Sequence, residues 1–181
     1  GKRVVSLNMP ITFPAPPVNG VIVPGLLCPG ISRQNVHPIQ AYDQYILPQT
    51  GYKIVDTDHS GTVRAFIDRS IKVEQTRCHV AKQIMKNEDW DLFSVVMQSF
   101  DPVQHRLWNV LAGEGADASQ EERIQALEFY RRCDQYIGEL IEAAGEEVLP
   151  ILASDHGFQR LDGVVNLNVW LREHGYLHLV S

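Results

Sequence analysis

Asp91-Leu92-Phe93-Ser94-Val95-Val96-Met97-Gln98 is the stretch on which the fold turns, because a short apolar run of this kind reads as a buried strand. It leads directly into Ser99-Phe100-Asp101-Pro102-Val103-Gln104-His105. Val148-Leu149-Pro150-Ile151-Leu152-Ala153 leads in the same way into Ser154-Asp155-His156-Gly157. In open α/β sheets, sites gather beyond the carboxyl ends of the strands. Carboxylate with imidazole is the ligand mixture that suits Zn²⁺ and Mn²⁺. Two such sets predict two ions in one cleft, the clamp used for displacement at phosphorus.

Working outward, Arg3–Leu7 reads as another buried strand. The Pro- and Gly-rich stretch from Met9 to Gly30 rules out a long helix and leaves room for one short strand at Val21–Val23. Residues 32–68 are mixed and polar, as in a small insertion or cap. A helix is expected over Ser70–Asn87, capped by Ser70, with Val73, Val80, Ile84 and the stem of Arg77 facing inward. A second is expected over Ser119–Ala144. It opens on the capping box Ser119-Gln120-Glu121-Glu122, carries Ile124, Leu127, Tyr130, Ile137, Leu140 and Ile141 at helical spacing, and closes at Gly145. Strands alternating with helices predict an α/β fold, a mostly parallel sheet with helices on both faces. The crossover helix demands parallel order for the strands Asp91–Gln98 and Val148–Ala153.

The 181 residues fit one domain with a real core. A net charge of -6, with the Lys and Arg residues scattered, argues against a nucleic-acid partner. No apolar run approaches the ~20 residues of a membrane helix. Cys28, Cys78 and Cys133 are odd in number and widely spaced, as free thiols of a reducing compartment are, which favours the cytoplasm. Gly1-Lys2-Arg3-Val4-Val5 shows neither an initiator Met nor a signal peptide.

Within the first cluster, Pro102 suits the first position of a helix, which puts Asp101 at the N-cap. His105 then lies one turn later on the same face, so both can converge on one ion. In the second, Gly157 permits a sharp turn after Asp155 and His156. Other ligand-type residues read as structural or solvent-facing: His37, His59 and His79, the Asp56-Thr57-Asp58-His59 group with no apolar run before it, and Arg106. His174 falls at the end of an amphipathic helix, with His178 just after it. Trp90 and Trp108 read as core.

Trp90-Asp91-Leu92-Phe93 through His105, Ser154-Asp155-His156-Gly157-Phe158 and Asn166-Leu167-Asn168-Val169-Trp170-Leu171 together resemble the type I phosphodiesterase/nucleotide pyrophosphatase branch of the alkaline phosphatase superfamily. The likeness is strongest to its predicted phosphohydrolases and phosphomutases, and takes in Asn8-Met9-Pro10 and Pro17-Val18-Asn19-Gly20 as well. It implies an alkaline-phosphatase-like core and a binuclear site, usually zinc with manganese as the alternative, held by three Asp and three His. Asp101 and His105 match two ligands of one metal, and Asp155 and His156 two ligands of the other. The family's Ser or Thr nucleophile attacks phosphorus, and water then releases the phosphoryl group from the enzyme.

The chain also departs from that pattern. The family's nucleophile, an earlier Asp ligand and a later His ligand have no counterpart by motif; Ser6, Ser32 and Thr62 are hydroxyls outside the nucleophile's context. Residues 1–181 therefore read as an interior part of a phosphohydrolase catalytic domain, nearly inactive alone, whose substrate is a small phosphate mono- or diester. A phosphomutase and a non-catalytic remnant are the alternatives; the oligomeric state is not legible.

Overall fold

The computed structural model describes residues 1–58, 60–113 and 119–178; His59 lies outside them. Its centre is a three-stranded parallel sheet: β1 (Val4–Met9), β2 (Gly20–Pro24) and β3 (Leu92–Val95), in the order β2-β1-β3. Val5 stands beside Val21 and Phe93, and Leu7 beside Val23 and Val95, so all six share one face. That face meets the helices in a core completed by Tyr45, Val80, Ile84 and Leu140. The strands approach closely at Gly20, where a Cβ would lie 1.9 Å from the Val4 carbonyl oxygen; only glycine fits.

Among the described residues, five helices accompany the sheet. α1 (Ile39–Ala41) runs into a wider turn over Tyr42–Ile46, followed by α2 (Val63–Asn87), α3 (Phe100–Ala112), α4 (Gln120–Ala144) and α5 (Leu167–Glu173). The architecture is α/β with a parallel sheet, as the alternation of strands and helices leads one to expect. Among the described residues, no helix is long and apolar enough to cross a membrane. Part of the stretch read as an insertion or cap joins the sheet's core through Val36, Ala41, Tyr45 and Ile46.

Three local expectations change. The 70–87 helix begins earlier, at Val63, because Thr62 accepts a hydrogen bond from the Ala65 N–H; Ser70 is buried inside it. The capping box of Ser119 and Glu122 forms and Leu140 is buried as expected, but the rest of the buried stripe of α4 is Ala126, Phe129, Cys133 and Tyr136. Ile124, Leu127 and Ile141 are exposed. The reason is the close packing of α2 on α4, where small Ala126 and Cys133 let the helix backbones approach.

The third change is the largest. Val148–Ala153 is not a strand: residues 149–165 make no backbone–backbone hydrogen bond among the described residues, and Leu149, Ile151 and Leu152 are exposed. Among the described residues β3 pairs with β1 alone and keeps an open outer edge, but Val148–Ala153 does not pair with it, and a strand needs a neighbour to hold its N–H and C=O groups. An apolar run that finds no such neighbour stays irregular.

Candidate active site

The carboxyl ends of the three parallel strands lie on one rim of the sheet, and β3 feeds α3 there. Ser99, not Asp101, takes the N-cap position of α3, so Asp101 falls in the first turn. Pro102 is tolerated there because the first-turn N–H groups have no partners within the helix. A carboxylate in that turn also faces the positive end of the helix. His105 stands one turn on, its Nε2 3.5 Å from Asp101 Oδ1.

The second cluster reaches the first although no strand carries it. His156 Nε2 lies 4.0 Å from Asp101 Oδ1 and 3.8 Å from Asp155 Oδ1. Phe158 is what docks this segment on α3. Its ring meets His105 edge-on at 4.8 Å between centroids and lies 5.5 Å from Trp108 and 6.4 Å from His156. Trp108 thus packs on the site's support rather than in either main core cluster, while Trp90 packs on the sheet's core. The role of Phe158 was not read from the sequence; an aromatic two residues after a ligand pair was its only signal.

Imidazole orientation is set locally. His156 Nδ1 lies 2.8 Å from the Gly157 carbonyl oxygen, which can only accept, so Nδ1 carries a proton. Nε2 then faces Asp101 and Asp155 with its lone pair whenever the ring is neutral. The Gly157 carbonyl first, then Asp155 and Asp101, raise the His156 pKa above its ordinary value. The Ser154 hydroxyl donates to the His156 carbonyl at 2.6 Å and tightens the turn.

The donor set fits a divalent ion in kind. Ligands bound at about 2 Å in a tetrahedron stand about 3.3 Å apart, close to the Asp101–His105 separation. As a whole the four groups are strung out, His105–Asp101–His156–Asp155, rather than closed. Among the described residues, no three His, Cys, Asp or Glu form a compact metal-holding group.

The remaining ligand-type residues have other work. Asp56 is buried and bound by Arg69 at 2.8 Å and Lys53 at 3.0 Å, leaving it no free oxygen for an ion. His37 Nε2 meets the Val18 carbonyl, His79 is exposed on α2, and His174 stacks on Trp170 at the end of α5; His178 is exposed after it. Arg106 donates to the Gly61 carbonyl and lies over the Phe66 ring. Of the three hydroxyls, Thr62 caps α2, Ser6 lies within β1 and Ser32 is exposed.

Neither the search of curated proteins nor that of solved structures gave a match. The family model described as Type I phosphodiesterase / nucleotide pyrophosphatase matches residues 6–181, almost the full length given and both Asp/His clusters. A match of that extent, with the two clusters meeting at one end of a parallel α/β sheet, means that this chain belongs to the type I phosphodiesterase / nucleotide pyrophosphatase family.

Proposed function

We propose that Asp101 and His105, with Asp155 and His156, are ligands of two divalent ions, zinc with manganese as the alternative, in a phosphoesterase acting on small phosphate mono- or diesters. The observation that carries this reading is the Asp101 carboxylate, which stands between imidazoles from two distant segments, 3.5 Å from His105 and 4.0 Å from His156. The ions would supply Lewis-acid stabilisation of charge on the transferring phosphoryl group. Asp101 and Asp155 would bring negative charge to hold them, and the Gly157 carbonyl keeps the proton on Nδ1 of His156 so that Nε2 is free to bind. The family's chemistry passes through a phosphoryl group on a Ser or Thr hydroxyl, released by water. We assign that hydroxyl to none of Ser6, Ser32 or Thr62.

Two protein ligands per ion is fewer than the three that catalytic zinc usually keeps. The 181-residue chain should therefore bind weakly and turn over little. Calorimetric titration of Zn²⁺ and Mn²⁺ into the chain and into Asp101→Asn, with phosphodiester turnover measured on both, tests the reading. Weak binding that disappears in Asp101→Asn supports it; binding unchanged by that substitution overturns the assignment of ligands. Tight binding with full turnover would make Ser6, Ser32 and Thr62 nucleophiles to test.

A further inference from the structure

The start of α3 lacks the usual cap. Ser99 occupies the N-cap position, but its hydroxyl makes no cap hydrogen bond. Its backbone N–H instead donates to Glu74 Oε1 on α2 at 2.9 Å, and both residues are almost fully buried. The charge of Glu74 is met one turn later on α2 by Arg77, 1% exposed, which also donates to the carbonyls of Lys53, at 3.1 Å, and Ile54. On the sheet side, Asn8 donates to the Val96 carbonyl at 3.1 Å, holding the other end of the β3–α3 connection.

A buried ion pair is a poor device for stability alone, since well-packed apolar residues of similar volume often do as well or better. What this pair does that apolar residues cannot is present a fixed acceptor to the Ser99 N–H. That bond sets where the first turn of α3 begins, and Asp101 follows two residues later. A shift of about 1 Å at such a support is enough to spoil a metal or catalytic geometry.

We infer that Glu74 is a positioning residue, holding the Ser99 N–H so that Asp101 stands between His105 and His156, with Arg77 as the buried cation paired with its carboxylate. The inference rests on the reading of Asp101 and His105 as metal ligands. Its test uses Co²⁺ as the probe, titrated into the 181-residue chain and followed by its visible absorption bands, which report ligand number and geometry as well as affinity. Glu74→Gln keeps an oxygen acceptor for Ser99 and should stay within about threefold of the unsubstituted affinity. The double variant Glu74→Leu/Arg77→Met removes acceptor and counter-charge together. It should keep its near-UV circular dichroism but bind Co²⁺ about 10- to 100-fold more weakly, with altered bands, the usual loss when a ligand's support is removed. If the double variant does not fold, Glu74→Asp replaces it. That substitution keeps the charge for Arg77 but draws the carboxylate back from Ser99, and the same loss is expected. A folded double variant, or in its place Glu74→Asp, with unchanged affinity and bands overturns the inference alone. Failure of the unsubstituted chain to bind Co²⁺ overturns the metal reading and this inference with it.

Discussion

The runs 91–98 and 148–153 carry the same kind of sequence and meet different fates. Leu92–Val95 becomes β3 because β1 offers it a full set of parallel hydrogen bonds, from Val4 beside Leu92 to Leu7 beside Val95. Leu149, Ile151 and Leu152 find no such neighbour and stand at 67–81% exposure. An apolar pattern states what a segment can bury; pairing also requires a surface that accepts it. Yet the Asp/His cluster behind each run arrives at one place. The first is fixed through β3, the Ser99 N–H bond to Glu74 and α3; the second is docked by the Phe158 ring. If that contrast is right, substitutions behind the first cluster should act on global stability and substitutions behind the second should not.

The largest effect is expected at Arg77. Arg77→Met leaves the Glu74 carboxylate buried without its counter-charge, and breaking one side of a buried pair costs about 3–5 kcal/mol. Urea unfolding followed by circular dichroism measures it. A loss below about 1 kcal/mol would show that the support of α3 is softer than its burial implies.

Next is Asp56, which ties the 53–58 segment to α2. Burial pushes its carboxyl pKa up, but the hydrogen bonds from Arg69 and Lys53 and their charges outweigh it, and the net shift is downward. A carboxyl whose folded pKa lies below its unfolded value stabilises fully above the unfolded value, near 3.8. That contribution is lost as pH falls through the folded value. Asp56→Asn should therefore cost about 1.5–3 kcal/mol at neutral pH, the range for hydrogen bonds to a charged group. The difference from the unsubstituted chain should shrink below about pH 4. Unfolding curves at pH 7 and pH 3 check both the size and the sign.

What the sequence made legible follows the same division. Signals that act within one turn were readable: the Ser119/Glu122 capping box, the one-turn spacing of Asp101 and His105, and the strands at 4–9, 20–24 and 92–95. Signals that depend on a partner were not. Leu140 was legible in the buried stripe of α4, but Ala126 and Cys133 were not, because closeness to α2 selects small residues that the spacing of large ones does not mark. Glu74 was not singled out in the sequence; its role shows only when Ser99 and Arg77 are placed around it. The meeting of the two clusters was expected from strands; in the structure only the first comes from one.

Phe158 is the sharper probe of the second cluster. Aromatic contacts of the kind it makes with His105 and Trp108 contribute about 0.5–1.5 kcal/mol. Because the Phe158 ring packs this segment on α3, Phe158→Ala should release that energy locally and leave global unfolding in urea nearly unchanged. The expected sign is faster tryptic cleavage at Arg160, with Arg64 on α2 protected as before. Equal protection at Arg160 in variant and parent would mean that something other than Phe158 holds the loop.

The smallest effect should come from Ile151 in the second run, tested against Val95, its counterpart in the first. Val95 is half-buried on the β3 face that meets the core, and Ile151 is 80% exposed. Burial of a side chain such as valine contributes about 1.5–3 kcal/mol when complete, so Val95→Ser should cost roughly 1–2 kcal/mol. Ile151→Ser removes apolar surface that already faces water, and such substitutions usually fall within about ±0.5 kcal/mol. The two changes are chemically alike, which makes the ratio of their costs a direct reading of what each run touches. Paired urea titrations of the 181-residue chain supply it. Equal losses would place Ile151 against a surface in solution, and the distinction between a strand that found its neighbour and one that did not would fall with it.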